Sequence, residues 1–196
     1  MFQVRIHGRG GQGVVTAAEI LSVAAFDEGR HAQAFPSFGS ERTGAPVVSF
    51  CRIDDREIRT REPVMEPDAV IIQDVTLIHQ VDVFSGLSHE GYVLINTSRG
   101  FSELGFGDFF DKYHSERLMT CPATDIALEQ IGRPFPNAAL LGGLAALTGE
   151  ITLDAIDKAV REHFAGSVGE RNAAAAAAAY DYVSSKAEEV ARASTN

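Results

Sequence analysis

Residues 2–7, Phe-Gln-Val-Arg-Ile-His, alternate between apolar and polar, which is the period of a strand with one buried face. The pattern then changes. Val14, Ala17, Ala18, Leu21, Ala24 and Ala25 recur at helical spacing, predicting a helix over 14–28 that Gly29 ends. Residues 31–39 are aromatic and turn-rich, without a clean period. Residues 47–53 alternate like a strand, Asp54-Asp55 makes a turn, and 56–59 reads as the returning strand of a hairpin. A hairpin requires at least one antiparallel pair, so the sheet is expected to be mixed. Residues 68–73 and 92–96 are continuous apolar runs of the kind buried on both faces, with a short helical segment over 77–84 between them. Residues 99–116 read as a loop with one helical turn, and 117–120 as a short strand.

The second half of the chain is helical. A helix over 123–131 stops at Gly132, with Pro134 and Pro136 enforcing the break. Asn137 is expected to cap the next one, whose face runs through Ala138, Leu141, Leu144, Ala145 and Thr148. Thr152 caps a helix over 153–164, and Asn172 is expected to open a long alanine-rich helix. Its apolar face passes through Ala176, Tyr180, Val183, Ala187 and Val190. Alanine supplies propensity but little packing area, so this helix needs a surface to lie against. Strands alternating with helices define an α/β fold: a Rossmann-like, mostly parallel but mixed open sheet with flanking helices, in one domain spanning 1–196.

Between the first strand and the first helix lies Gly8-Arg9-Gly10-Gly11-Gln12-Gly13. Gly8, Gly10 and Gly13 match the G-x-G-x-x-G spacing in the strand–turn–helix context that gives it meaning. Glycines let the backbone turn sharply, approach a ligand and seat the helix close to the strand, while the helix N-terminus presents free N–H groups to an anion. Arg9 and Gln12 add donors. A tight crossover turn that binds nothing is the competing reading. A nicotinamide site would want an acidic residue about 20 positions on. Instead His31, Gln33 and Pro36 occupy that neighbourhood, and Asp27 and Glu28 fall within the helix. Asp74 and Asn96 each end a buried strand, where open α/β sheets place ligand groups. The turn Glu41-Arg42-Thr43-Gly44 reads as an anion clamp, half of an interface ion pair, or an exposed turn.

A net charge of -10 argues against a nucleic-acid partner, since backbone binding needs a basic field. Residues 1–61 nevertheless hold eight Arg against seven acidic residues, so an anion is better received by that third. Cys51 and Cys121 form neither a disulfide framework nor a cluster motif, which fits the cytoplasm. No signal peptide and no membrane-length apolar run is expected. The six histidines make no metal motif. His7, beside the glycine loop, either faces a cofactor or is structural, and Cys121 is a candidate for the ligand crevice. No activated nucleophile and no paired acid and base can be assigned, so the catalytic set is empty.

The stretch 2–13 with Thr16-Ala-Ala-Glu19, followed by Gln33-Ala-Phe-Pro-Ser-Phe-Gly39-Ser-Glu-Arg42-Thr-Gly-Ala-Pro46, resembles the gamma subunit of the pyruvate/2-oxoacid:ferredoxin oxidoreductases. The likeness continues through Arg52-Ile53-Asp54, Gln73-Asp74, Ile95-Asn96-Thr97, Ala123–Glu129, Gly132-Arg-Pro134 and Asn172-Ala-Ala. It implies a non-autonomous subunit of an enzyme that decarboxylates a 2-oxoacid, passes electrons to an acceptor and forms an acyl-CoA. Thiamine diphosphate, magnesium and 4Fe–4S clusters would then sit in alpha, beta and delta-type partners, because this chain has no GDG…NN signature and no cluster cysteines. Ferredoxin, or a flavoprotein subunit that reduces NAD, would take the electrons. Coenzyme A would contact this chain through Gly8, Arg9, Gly10, Gly11, Gln12, Gly13, Arg42 and Asn96. The segment Cys121-Pro-Ala-Thr124 departs from the Asp-Ala-Thr expected in related gamma chains, which leaves open an aromatic 2-oxoacid such as phenylglyoxylate or indolepyruvate. A free-standing nucleotide-binding regulatory module is the alternative from another class.

Overall fold

The computed structural model describes residues 1–37, 43–105 and 110–193. Strands β1 (Phe2–Arg9), β2 (His31–Pro36), β3 (Pro46–Asp54), β4 (Ala69–Ile72), β5 (Tyr92–Asn96) and β6 (Leu118–Cys121) form one sheet in the order β2-β3-β1-β4-β5-β6. β1, β4, β5 and β6 run parallel, whereas β3 lies antiparallel between β1 and β2. The sheet is therefore mixed, as the turn signal at Asp54-Asp55 implied, but the hairpin is made differently. β2 pairs with β3, from His31 against Asp54 to Pro36 against Ser49, and residues 56–61 form no strand. Both edges of β3 are already taken, so a returning strand has nothing to pair with. The chain instead crosses the sheet, where the Arg52 guanidinium donates to the Glu62 carbonyl at 2.6 Å.

Five helices lie wholly within the described residues, in chain order: α1 (Val14–Asp27), α2 (Ala123–Ile131), α3 (Asn137–Thr148), α4 (Leu153–His163) and α5 (Gly166–Ala193). They pack on one face of the sheet. Val4, Ile6, Cys51, Ile53, Ile71, Leu94 and Met119 point into that layer, joined by Leu21, Leu141, Ile156 and Val183. The other face is covered over β4–β6 by irregular chain and 3-10 turns, which pack Leu77, Phe84, Leu104 and Phe110 on Val70, Ile72, Val93 and Ile95. The expected helix over 77–84 is a 3-10 turn, Val75–His79, capped by Asp74 and followed by turns.

Two helix starts differ from the sequence reading. Pro136 occupies the cap position of α3 and Asn137 is its first helical residue, which frees the Asn137 side chain for a neighbour. α5 begins at Gly166, and Asn172 lies within its second turn, donating back to the Val168 carbonyl at 2.9 Å. The alanine-rich helix has the packing surface it was expected to need, but of its expected face only Ala176 and Val183 are buried, Tyr180, Ala187 and Val190 being half-buried. Ala173, Ala175, Ala176 and Ala179 are buried, and α3 meets them through Gly142, where an added Cβ would come within 1.9 Å of the Ala176 carbonyl oxygen. Small residues on both helices are what permit this approach.

Candidate functional site

β1 delivers the glycine loop to the carboxyl edge of the parallel strands. A Cβ on Gly8 would lie 2.5 Å from Val14 Cγ2, so only glycine lets α1 start directly above the strand. Gly11 (φ 94°) and Gly13 (φ 73°) take the left-handed conformation that side chains avoid. The Gln12 N–H donates to the Arg9 carbonyl at 3.0 Å, while Gln12 Oε1 accepts from the Arg9 N–H at 2.7 Å. A second segment lies alongside: Gly10 N–H donates to the Ala45 carbonyl and Gly44 N–H to the Gly10 carbonyl.

No side chain caps α1 and no acidic residue lies in its first turn. The N–H groups of Gly11, Gly13, Val14, Val15 and Thr16 consequently have no hydrogen-bond partner among the described residues. They border an open depression of about 240 Å³ that also touches Arg9, Gly10 and Val47. Such an array of amides at the positive end of a helix dipole receives an anion.

Arg9 stands beside this depression but spends its donors internally. Its guanidinium reaches Asp74 Oδ2 (2.9 Å), the Gly44 carbonyl (3.0 Å), Thr76 Oγ1 (2.7 Å) and Gln80 Oε1 (3.0 Å). Gln12 Nε2 also donates to Asp74 Oδ2, at 3.1 Å. Burial by itself would raise the Asp74 pKa, but hydrogen bonds from Thr76 and Gln12 and the charge of Arg9 outweigh it and hold the carboxyl below its usual range. Asp74 is thus the anchor to which the loop is tied. Asn96 is similarly engaged: Nδ2 donates to the Gln73 carbonyl (2.8 Å) and to Thr124 Oγ1 (2.7 Å), and Oδ1 accepts from the Thr124 N–H (3.0 Å). It joins β4, β5 and the start of α2. Arg42, with Glu41, lies outside the described residues.

His7 is buried with neither ring nitrogen partnered among the described residues, and burial, helped by the charge of Arg5, pushes its pKa down to about 3. It lines neither of the depressions at the glycine loop. Cys121 is fully buried and its thiol is pushed up to about 12 by desolvation, so it is an inert part of the core and not a crevice residue.

Sequence reasoning missed a larger cleft, of about 510 Å³, that shares Gly11, Gly13 and Thr16 with the first depression. Asn137, taken from sequence as a cap, forms part of its floor, and Arg133 and Arg171 line it. These positions are far apart along the chain and no local pattern joins them. Among the described residues no group of three or more His, Cys, Asp or Glu could hold a metal ion, and no helix is long and apolar enough to cross a membrane.

A Rossmann-like mixed sheet whose first strand turns through a glycine loop into an uncapped helix N-terminus is the class of domain that the fold and this edge of the sheet define. The chain belongs to the pyruvate ferredoxin/flavodoxin oxidoreductase family, whose model matches residues 3–182. It is 48% identical over 181 residues to the pyruvate synthase subunit PorC of Methanothermobacter marburgensis, covering 92% of this chain and 97% of that one. It is 46% identical over 183 residues to the common gamma subunit of the pyruvate/ketoisovalerate oxidoreductases of Pyrococcus furiosus, covering 92% and 96%. The crystal structure of the pyruvate oxidoreductase subunit PORC of Thermotoga maritima superposes with a TM-score of 0.78 at 37% identity, covering 92% and 95%. The chain is accordingly a gamma-type subunit of a 2-oxoacid:ferredoxin oxidoreductase complex. In such complexes it works with alpha, beta and delta-type subunits, ferredoxin and coenzyme A, and the thiamine and iron–sulfur chemistry resides in the partners.

Proposed function

We propose that this chain, as one gamma-type domain over 1–196, binds coenzyme A through its phosphates and packs against the thiamine-bearing subunits in the cytoplasm. The acyl group then passes to a correctly held thiol. Its relatives named for pyruvate make pyruvate or a close 2-oxoacid the substrate of the assembled enzyme. The observation that carries the reading is the set of five unspent amides at Gly11, Gly13, Val14, Val15 and Thr16. A phosphate satisfies several of them at once, and each amide-to-anion hydrogen bond contributes about 1.5–3 kcal/mol. Gly8, Gly10 and Gln12 shape the loop. Arg9, tied to Asp74, holds it open, and Asn96 fixes the adjoining strand ends. Arg42 enters the proposal on sequence alone.

Gly11 provides the test, because a Cβ there meets no protein atom within 4 Å and projects into open space. In the assembled enzyme, Gly11→Ala should raise the KM for coenzyme A by about tenfold or more, the equivalent of losing one such contact. The KM for the 2-oxoacid should stay unchanged. Gly29→Ala, with φ 80° and nothing within 4 Å at the far end of α1, imposes the same backbone strain away from the loop and is the control. An intact Gly11→Ala complex with an unaltered KM for coenzyme A would refute the proposal.

A further inference from the structure

β2 is one of the two edge strands of the sheet. Its register with β3 decides which of its backbone groups are spent. The Ser37 N–H donates to the Val48 carbonyl at 2.8 Å, so the odd-numbered residues of β2 hydrogen-bond to β3, Phe35 opposite Phe50 and Gln33 opposite Arg52. The N–H and C=O groups of Ala32 and Ala34, and the C=O of Pro36, therefore point outward. None of them has a partner among the described residues. Proteins blunt such an edge with charged side chains, a bulge, a cover, or by making the strand very short. The other edge strand, β6, is four residues long, and α5 packs against it. β2 has six residues, and none from 32 to 36 is charged. Pro36 stops the ladder only at its end.

The helix above this edge is unpartnered on its outer side. Gly29 (φ 80°) and the Arg30 N–H, which donates to the Ala25 carbonyl at 3.1 Å, turn the chain tightly, so β2 returns directly beneath α1. α4 occupies the other flank of α1, where Lys158 pairs with Asp27 at 2.9 Å and the Thr152 N–H donates to Glu28 Oε1 at 2.9 Å. That leaves Glu19, Val23 and Phe26, spaced i, i+4 and i+7 on one stripe. Phe26 is 72% exposed and Val23 37%. The Glu19 carboxylate is exposed and has no ion-pair or hydrogen-bond partner among the described residues. Between this stripe and the strand edge, Ala32 and Ala34 are the β2 side chains packed toward the helices. Their small size leaves a trough beside α1.

We propose that an extended segment of one of the thiamine-bearing subunits adds to this edge as a seventh strand, an inference that rests on the subunit-packing half of the function proposed above. The segment pairs with the outward backbone groups of Ala32 and Ala34, which gives affinity without reading a sequence. Its side chains give the specificity: bulky apolar groups fill the trough between the two alanines and Phe26, and a Lys or Arg faces Glu19. Because the outward donors end at Pro36, the added strand is short and the α1 stripe supplies much of the contact. A second copy of this chain fits worse. A twofold pairing of β2 strands sets α1 beside its own copy and brings two Glu19 carboxylates, each on a chain of net charge -10, to one seam.

The test compares amide hydrogen exchange in the purified chain and in the assembled complex. The amides of Ala32 and Ala34 should exchange freely in the chain alone and at least about tenfold more slowly in the complex. Equal exchange overturns the proposal. Two variants act on the surface and spare the core: Ala34→Pro removes an outward N–H and leaves the ladder to β3 in place, and Phe26→Glu puts a charge on an exposed site. Each should keep the wild-type melt of the chain and weaken its association with the thiamine-bearing subunits by about tenfold or more. Glu19→Lys should weaken it too, most at low salt. Folded variants that assemble as well as wild type overturn the proposal. If Ala34→Pro fails to fold, exchange in the wild type and the Phe26→Glu variant decide. A purified chain that sediments as a dimer, and that Phe26→Glu makes monomeric, assigns the edge to a second copy and overturns the proposal as well. The packing reading fails separately, when the chain does not co-purify with thiamine-bearing subunits at all. A complex that forms while the β2 amides still exchange freely loses only the docking edge.

Discussion

Replacing Gly142 with alanine puts a methyl group against backbone, not against a side chain that can turn away. The new Cβ would lie 1.9 Å from the Ala176 carbonyl oxygen, 2.6 Å from its carbon and 2.8 Å from its Cα. For ordinary van der Waals contact, α3 and α5 would have to part by about 1.5 Å. That separation would loosen the packing of Ala173, Ala176 and Val183, all of which are buried. Overpacking of this kind costs about 1–3 kcal/mol and more when backbone must move, against about 1 kcal/mol gained from the better helix propensity of alanine. The expected net loss is about 2 kcal/mol, which for a chain of this size lowers Tm by about 4–8 °C. Gly143 is the internal control: its added Cβ would stand 3.3 Å from Leu94 Cδ2 and Val183 Cγ2, side-chain ends that can shift, so Gly143→Ala should stay within about 1 kcal/mol of wild type. Thermal and urea denaturation of the purified chain measures both. If Gly142→Ala melts with the wild type, or Gly143→Ala is the more damaging, the α3–α5 contact has been read wrongly.

His7 should make stability depend on pH. Its folded pKa is depressed to about 3, so above the ordinary value of 6.5 neither state holds the proton and there is no penalty. As pH falls from 6.5 toward 3, only the unfolded state takes up that proton, and stability falls by up to about 1.4 kcal/mol per pH unit. Urea midpoints at pH 7 and pH 5 should therefore separate less in His7→Gln than in wild type, and identical separations would rule this out. Asp74→Asn removes the charge that faces Arg9 and the acceptor of Gln12, and should lower stability by about 1–3 kcal/mol and raise the KM for coenzyme A as the loop loses its anchor. An unchanged melt together with unchanged coenzyme A kinetics would show that the tie is dispensable.

Periodicity and glycine placement were sufficient for much of this molecule. The switch from alternation at 2–7 to helical spacing at 14–25, with glycines between, located the strand, the loop and the helix N-terminus, because each depends on residues close in sequence. The same holds for β5, for α2 with its stop at Gly132, and for the Thr152 cap, whose hydroxyl accepts from the Ala155 N–H. β2 escaped notice because its buried side is only Ala32 and Ala34, too small to mark a period beside Phe35 and Pro36. The mistaken return strand at 56–59 had suitable residues. What excluded it was that β1 and β2 already occupy both edges of β3, a fact about pairing across the sheet.

The site divides along the same line. The glycine loop and its anion-ready helix end could be read from neighbouring residues, since free amides are a property of any uncapped helix N-terminus. Only tertiary structure determined how the loop is held, by an arginine turned inward onto Asp74, Thr76 and Gln80, more than sixty positions away. It likewise brought Asn137, Arg133 and Arg171 to one cleft beside Gly13, from the starts of two helices and a proline-bounded turn. Side chains so far apart in sequence share no local energy term. Their meeting is set by where the helices dock on the sheet, and that is decided by the packing of the whole core.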